Sequence, residues 1–367
     1  MNVFLNRVSA SVLLMMTILV PLSGNSRAGA QSGALAVLIA AAKQEGTVVV
    51  EGPPLDTARE ALTQGFQQAY GIPVSYISGG SSQSGARVRA ERAAGKYLLD
   101  VLISGSDTPA LVLLPSGWLD PIEPILVAPD VLDRRKWKDG HVWFEDDRHT
   151  ILRVLQFVTA NLAINTQLVR PGEVTTWKSL VDPKWQGKII SKDPSSAGAG
   201  SSLLSYFYRY LGPDFVRKLY IDQKPVLSRD ARQSVQWLAQ GNDAILLGPD
   251  PGIIEQFQKL GYPIADVFPT DGPGTVSGGY GIIALLNKAP HPNAAKLFIN
   301  WLAGKQGQEA LTRSTIAVSL RTDVTYDNVP AFMIPKKGQT YFDYYDYAFV
   351  TSVRDADFAK VRELLGM

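Results

Sequence analysis

Apolar residues along the chain fall into short, fully apolar runs that alternate with segments of helical period, and the two kinds of segment predict strand and helix in turn. An alanine-rich stretch from Ala34 to Gln44 predicts a helix that Gly46 stops, and Thr47-Val48-Val49-Val50 then reads as a short buried strand. A helix is expected from about Thr57 to Tyr70, ended by Gly71. Pro73 to Ile77 reads as the second strand, and Leu98 to Ile103 as the third. Between these two strands lie the polar loop Ser78 to Gly85 and a helix carrying Val88, Ala90 and Ala93. This spacing implies parallel strands joined by right-handed crossovers, an α/β unit.

The middle of the chain repeats the alternation. Ile151 to Ile164 is apolar and β-rich, and Trp177 to Leu180 reads as helical. Lys188 to Ser191 is a strand that enters a second small-residue loop. Helices follow from about Ser201 to Tyr210 and from Asp230 to Ala239, and Ala244 to Leu247 is a strand. Beyond Thr275 come a glycine-rich strand, Gly278 to Leu286, and a helix, Asn293 to Leu302, with Pro292 near its start. The tail from about Arg321 contains prolines and tyrosines and ends in an amphipathic stretch, Phe358 to Leu365. The expected organisation is two α/β lobes joined by a strand hinge: residues 31–155 and 275–367 in lobe 1, residues 156–274 in lobe 2. Such a joint suits hinge closure around a ligand.

Residues 1–30 read as a secretory signal. A short basic start, Asn6 and Arg7, precedes an apolar run from Val8 to Val20 that is too short to span a bilayer. Pro21 to Arg27 is expected to break the helix, and Ala28-Gly29-Ala30 supplies the small residues for cleavage before Gln31, so the mature chain is expected in the periplasm. The plain alternative is an uncleaved anchor or a buried first helix. The chain has no cysteine, so it carries neither a lipid-modified cysteine nor a disulfide. About 340 residues remain after the signal, enough for two medium domains stabilised by their cores. With 36 Lys and Arg against 34 Asp and Glu, interspersed, the formal charge is +2, which argues against nucleic acid or a membrane surface as partner.

Two loops draw attention because each joins a strand to a helix and is built almost wholly of Gly, Ser and Ala. They are Ser78-Gly79-Gly80-Ser81-Ser82-Gln83-Ser84-Gly85 and Ser195-Ser196-Ala197-Gly198-Ala199-Gly200. Glycine admits a ligand close to backbone N–H groups, serine adds hydroxyls, and the helix N-terminus presents unsatisfied amides and partial positive charge, which together suit an anion. The plain alternative for either loop is an ordinary turn with a serine cap. Arg229, just before a helix, could clamp an anion in bidentate fashion; a surface pair with Asp230 or Asp222 is the competing reading.

Signals for catalysis are thin. His141, His149 and His291 have no metal-ligand spacing, and no nucleophile elbow or phosphate-binding lysine loop is present. Glu145-Asp146-Asp147 could bind a cation but reads rather as a solvated loop, and Tyr341, Tyr344, Tyr345 and Tyr347 could contact a metal or sugar but read rather as packing of the tail.

Three segments carry a family resemblance: Ala41-Ala42-Lys43-Gln44-Glu45-Gly46, Asp182-Pro183-Lys184-Trp185-Gln186-Gly187-Lys188-Ile189, and Phe298 to Leu311 with Gly304-Lys305-Gln306-Gly307-Gln308-Glu309-Ala310. In these the chain resembles the ferric-type group of the family 1 extracellular solute-binding proteins of ABC importers. The resemblance implies the type II periplasmic binding fold, a small-molecule solute, importer membrane subunits as partners, a monomer without cofactor, and no enzymatic activity. Iron-binding members place adjacent tyrosines after the strand that here ends at Leu247, where this chain has Gly248-Pro249-Asp250-Pro251. Where they often have histidine and glutamate, it has Glu51-Gly52-Pro53-Pro54 and Ser104-Gly105-Ser106-Asp107.

With that ligand set dismantled, no metal is expected, and the solute is expected to be a small anion or zwitterion. Its expected contacts are Pro53, Gly80, Ser81, Ser82, Ser106, Asp107, Ser195, Ser196, Ala197, Arg229 and Asp250, with Asp107 or Asp250 taking an amine. Ferric binding by an atypical ligand set, a periplasmic enzyme on the same fold, and a sensor partner remain open alternatives.

Overall fold

The computed structural model describes residues 24–79, 81–145, 147–195 and 198–365. Helix α1 (Gly24–Glu45) leads into β1 (Val48–Gly52), α2 (Asp56–Tyr70), β2 (Val74–Ser78), α3 (Ser81–Ala93) and β3 (Val101–Ser104). Short elements follow: β4 (Leu119–Asp120), α4 (Pro129–Leu132), β5 (Val142–Trp143) and β6 (Ile151–Arg153). The chain then passes through β7 (Phe157–Thr159) into β8 (Leu162–Asn165), β9 (Ile189–Lys192), α5 (Ala199–Tyr210), α6 (Pro213–Arg217), β10 (Val226–Ser228), α7 (Ala231–Ala239), β11 (Ile245–Leu247), α8 (Pro251–Lys259) and β12 (Ile264–Asp266). It returns through β13 (Thr275–Ser277) to β14 (Ile282–Leu286), α9 (Pro292–Ala303) and α10 (Lys305–Thr315), and closes with β15 (Phe342–Asp343) and α11 (Arg354–Leu365).

Two mixed sheets organise these elements. The larger runs β2-β1-β3-β14-β6-β5, with β4 also paired to β14; the other runs β10-β9-β11-β8-β12. As the α/β spacing predicted, β1 pairs in parallel with both β2 and β3. The β-branched run Val48-Val49-Val50 suits a strand flanked on both edges, and Val48 and Val50 are fully buried. Glycines in the left-handed region, Gly46 at φ 75° and Gly71 at φ 74°, end α1 and α2 where the sequence placed their stops. The larger sheet's core gathers Phe66, Phe298 and Trp301, with Phe66 edge-on to the other two rings. Glu45, at the end of α1, accepts the backbone N–H groups of Asn293 and Ala294 and so caps α9.

A third, three-stranded sheet, β15-β13-β7, is made of the segments that pass between the two larger ones. β13 runs antiparallel to β7 and parallel to β15. Arg153 grips Asp343 with two hydrogen bonds of 2.7 and 3.1 Å, and Asn161 bonds Thr275 and the Tyr344 hydroxyl at 2.7 and 3.0 Å. After β15, α11 packs on α5 and α6, elements of the second sheet's unit, although the sequence reading grouped all of 275–367 with the first lobe. Asp357 fixes that packing by accepting from Ser205 and Arg209 of α5.

Other differences from expectation are local. α3 begins at Ser81, so half of the first Ser-rich loop is helical. α1 starts at Gly24, so the expected break at Pro21 to Arg27 is helical from Gly24 on, and the expected cleavage point lies within a continuous helix. Residues 1–23 of the expected signal lie outside the described residues. Glu145 is buried, not solvated: its carboxylate accepts from Thr150 and from the Ile151 N–H.

Candidate functional site

The carboxyl ends of β1 and β3 face the N-terminal ends of α5 and α8, and this junction gathers most of the expected site residues. The lobes touch here: Leu55, which follows β1, lies in one buried apolar cluster with Ile253, Ile254 and Val235 of the second unit. A Cβ on Gly252 in α8 would sit 3.6 Å from Leu55 Cδ1.

On the first lobe, Glu51 is the penultimate residue of β1, its side chain 2 % exposed. It accepts hydrogen bonds from the Ser84 hydroxyl and from Arg87, both on α3. Burial pushes its carboxyl above the usual range, against the pull of Ser84 and Arg87. A Cβ on Gly79 would lie 1.9 Å from Glu51 Oε1, so a larger residue where the loop crosses this carboxylate would have to displace it. The start of α3, expected to greet an external anion, therefore already has an internal carboxylate beside it. Arg87 Nε is buried and has no hydrogen-bond partner among the described residues.

Pro53 is buried, and its carbonyl accepts the Tyr76 hydroxyl at 2.8 Å. Tyr76 also lies over Gly52, where a Cβ would meet its hydroxyl at 2.4 Å. Tyr280, between β13 and β14, is pushed well above the ordinary tyrosine range by burial and then by the nearby Asp250, Tyr345 and Tyr76. Asp250 itself caps α8, its Oδ1 accepting from Gly252 and Ile253 N–H at 3.0 and 3.3 Å, with Pro251 at the first helical position.

Ser106 and Asp107 are buried beyond β3. Asp107 Oδ1 pairs with Arg354 at 2.9 Å, and the same guanidinium nitrogen reaches the Ser202 hydroxyl of α5 at 3.3 Å. On the second lobe, Asp193 accepts from the Ser195 N–H and hydroxyl at 2.8 and 2.6 Å and from Arg229 at 2.7 Å. Burial of Asp193 is outweighed by these bonds, which hold its carboxyl below the usual range. Arg229 pairs with Asp193, not with Asp230 or Asp222, and remains 72 % exposed.

Gly80, Ser196 and Ala197 lie outside the described residues; Ser81 and Ser82 begin α3, and their side-chain surroundings are likewise outside the description. Sequence reasoning missed Arg87, Ser202, Tyr280 and Arg354, and it noted Glu51 only as a departure from a histidine position. An Arg three residues beyond Ser84 on a helix facing Glu51 was a usable signal; Arg354 had none. Among the described residues no group of three or more His, Asp or Glu side chains is placed to hold a metal ion, and no helix is long and apolar enough to cross a membrane.

Residues 51–309 match the family described as bacterial extracellular solute-binding protein. An uncharacterized protein of Haemophilus influenzae is 26% identical over 314 residues, 81% of this chain and 84% of that protein. Among solved structures, the periplasmic binding protein AfuA of Actinobacillus pleuropneumoniae, with exogenous fructose-6-phosphate bound, superposes with a TM-score of 0.71 at 19% identity, covering 88% of this chain and 99% of that one. Iron-bound HitA of Pseudomonas aeruginosa does so with a TM-score of 0.67 at 18% identity, covering 87% and 99%. These likenesses agree in fold with the two α/β lobes read from the residue pattern and with the type II arrangement that the resemblance implied. With the match spanning well over half its length, the chain belongs to the bacterial extracellular solute-binding protein family.

Proposed function

We propose that this chain is the periplasmic receptor of an ABC importer and captures a small solute bearing an anionic group together with ammonium or hydroxyl groups. In this reading the signal is removed after Ala30 and the mature protein is a soluble monomer that binds without turnover. Its first lobe comprises residues 31–155 and 275–341, and the second residues 156–274 with the tail from 344 onward. Closure about the three-stranded hinge buries the solute between the two Ser-rich loops, and the importer's membrane subunits recognise the closed form.

One observation carries the choice of solute. Each arginine identified at the junction stands beside a carboxylate of the chain itself: Arg87 with Glu51, Arg354 with Asp107, Arg229 with Asp193. A bare anion entering such a site meets attraction and repulsion together, whereas a solute with both donors and acceptors can address both members of a pair. Fructose-6-phosphate, the ligand of AfuA, is a hydroxylated anion of this kind.

Mass spectrometry of solute released from the natively purified secreted protein tests the reading. A small organic molecule with an ionised acid and several hydroxyl or amino groups is the expected result. Ferric ion as the bound species, with the absorption of tyrosinate bound to iron, would overturn it.

A further inference from the structure

We propose that Asp107 and Arg354 form a latch between the lobes, with the C-terminal helix α11 as the arm that the second lobe extends to the first; this rests on the hinge-closure reading above. Asp107 follows β3 of the larger sheet. Arg354 opens α11, which Asp357 ties to α5 through Ser205 and Arg209, so the arginine travels with the second unit. Its bond to Asp107, together with its contact to Ser202, spans the gap between the units inside the protein: the two side chains are 3 % and 7 % exposed. Asp107 and Arg354 are 247 positions apart in the chain, so only the tertiary fold brings them together.

Two atoms make the pair a switch and not a permanent strut. Asp107 Oδ2 and Arg354 Nε are buried without hydrogen-bond partners among the described residues. A buried ion pair gains little over its hydrated parts unless its remaining donors and acceptors are satisfied. Opening returns both groups to water, so the latch holds the closed form with a small net advantage that can be lost and regained. The segment before the arm also touches the first lobe, since Tyr344 and Phe349 share a buried cluster with Leu113 and Tyr347 meets Phe144 edge-on, so the ion pair lies at the end of an apolar contact that opening must also part.

Small-angle X-ray scattering on protein stripped of solute by unfolding and refolding tests this. The radius of gyration expected for a folded chain of this length is about 20 Å, and opening should raise it by roughly 1 Å. Asp107→Asn, Arg354→Met and the double variant should all show the increase, with circular dichroism matching the wild type. The double variant matters because it removes the pair without stranding a charge.

Gly252→Phe, which wedges a ring against Leu55, is the control for hinge opening. If the wedge expands the protein while the double variant stays compact, the latch is wrong and the hinge stands. Expansion of the single variants alone would trace the effect to an unpaired charge and would also sink the latch. If neither the wedge nor the double variant expands the protein, the hinge-closure reading falls too.

Discussion

Replacing Asp266 by asparagine should stabilise the protein at neutral pH and leave it unchanged in acid. Asp266 ends β12 and lines a narrow groove with Val158 and Ala160 of the hinge, Pro251 of α8, and Ile316 and Phe332 from the other side. Burial among these apolar groups pushes its carboxyl up to about 6 from 3.8, with only the Gln258 side chain pulling the other way. Between the two values the folded protein holds a proton that the unfolded chain has released. Stability therefore falls as pH rises through that window and is flat above it. A displacement of about 2 pH units corresponds to about 3 kcal/mol, and the part of the carboxyl still open to water reduces this to about 2 kcal/mol.

Asparagine has nearly the shape of the protonated acid and no charge, so Asp266→Asn should match the wild type below pH 4 and exceed its stability by about 2 kcal/mol at pH 7. Urea unfolding of both proteins at intervals from pH 4 to pH 7 reads this directly. Parallel stability curves, or a less stable variant at pH 7, would refute the account of Asp266 as a buried carboxylate without a cationic partner.

Gly79→Ala should cost about 1–3 kcal/mol, because its methyl would occupy the place of Glu51 Oε1. Adding Glu51→Ala to it should cost less than the sum of the two single changes, which a double-mutant cycle of unfolding free energies measures. Arg229→Ala breaks a pair whose arginine is mostly exposed, with one bond to the Ser195 hydroxyl, and should change stability by about 1 kcal/mol or less. Calorimetry with the solute identified from the native protein should show at least a tenfold loss of affinity; equal affinity would remove Arg229 from the site.

What could be read from the sequence were features whose cause is local. Val48-Val49-Val50 between Gly46 and Gly71 announces a buried strand and a helix with defined ends, and both glycines adopt the left-handed conformation that ends helices. Asp250-Pro251 carries an N-cap and a first-turn proline, so α8 too was within reach. The charge pairs were not, because their members lie far apart: 36 positions between Asp193 and Arg229, 247 between Asp107 and Arg354. β15 escaped notice for a different reason. It is two residues long in a segment of prolines and tyrosines, too short for alternation to register, and its partner β13 is supplied by tertiary contact. Missing it left the packing of the tail on α5 and α6 unread and hid Arg354 with it.

The internal carboxylates also change what the Ser-rich loops can mean. Read alone, a Gly and Ser loop before a helix is an anion cradle, since its amides and the helix dipole favour negative charge. Glu51 stands beside the first loop and Asp193 is bound by the second, so in each case the chain has placed a negative group of its own there. Two unit charges about 4 Å apart interact by about 4 kcal/mol at an effective dielectric constant near 20. At equal distances, repulsion from Glu51 or Asp193 would be of the same order as attraction from Arg87 or Arg229. The two nearly cancel for a point charge and fail to cancel for a group that donates to the carboxylate while accepting from the guanidinium. Under the proposed function, discrimination would then reside in the placing of donors and acceptors and not in net charge, in keeping with a chain whose formal charge is only +2.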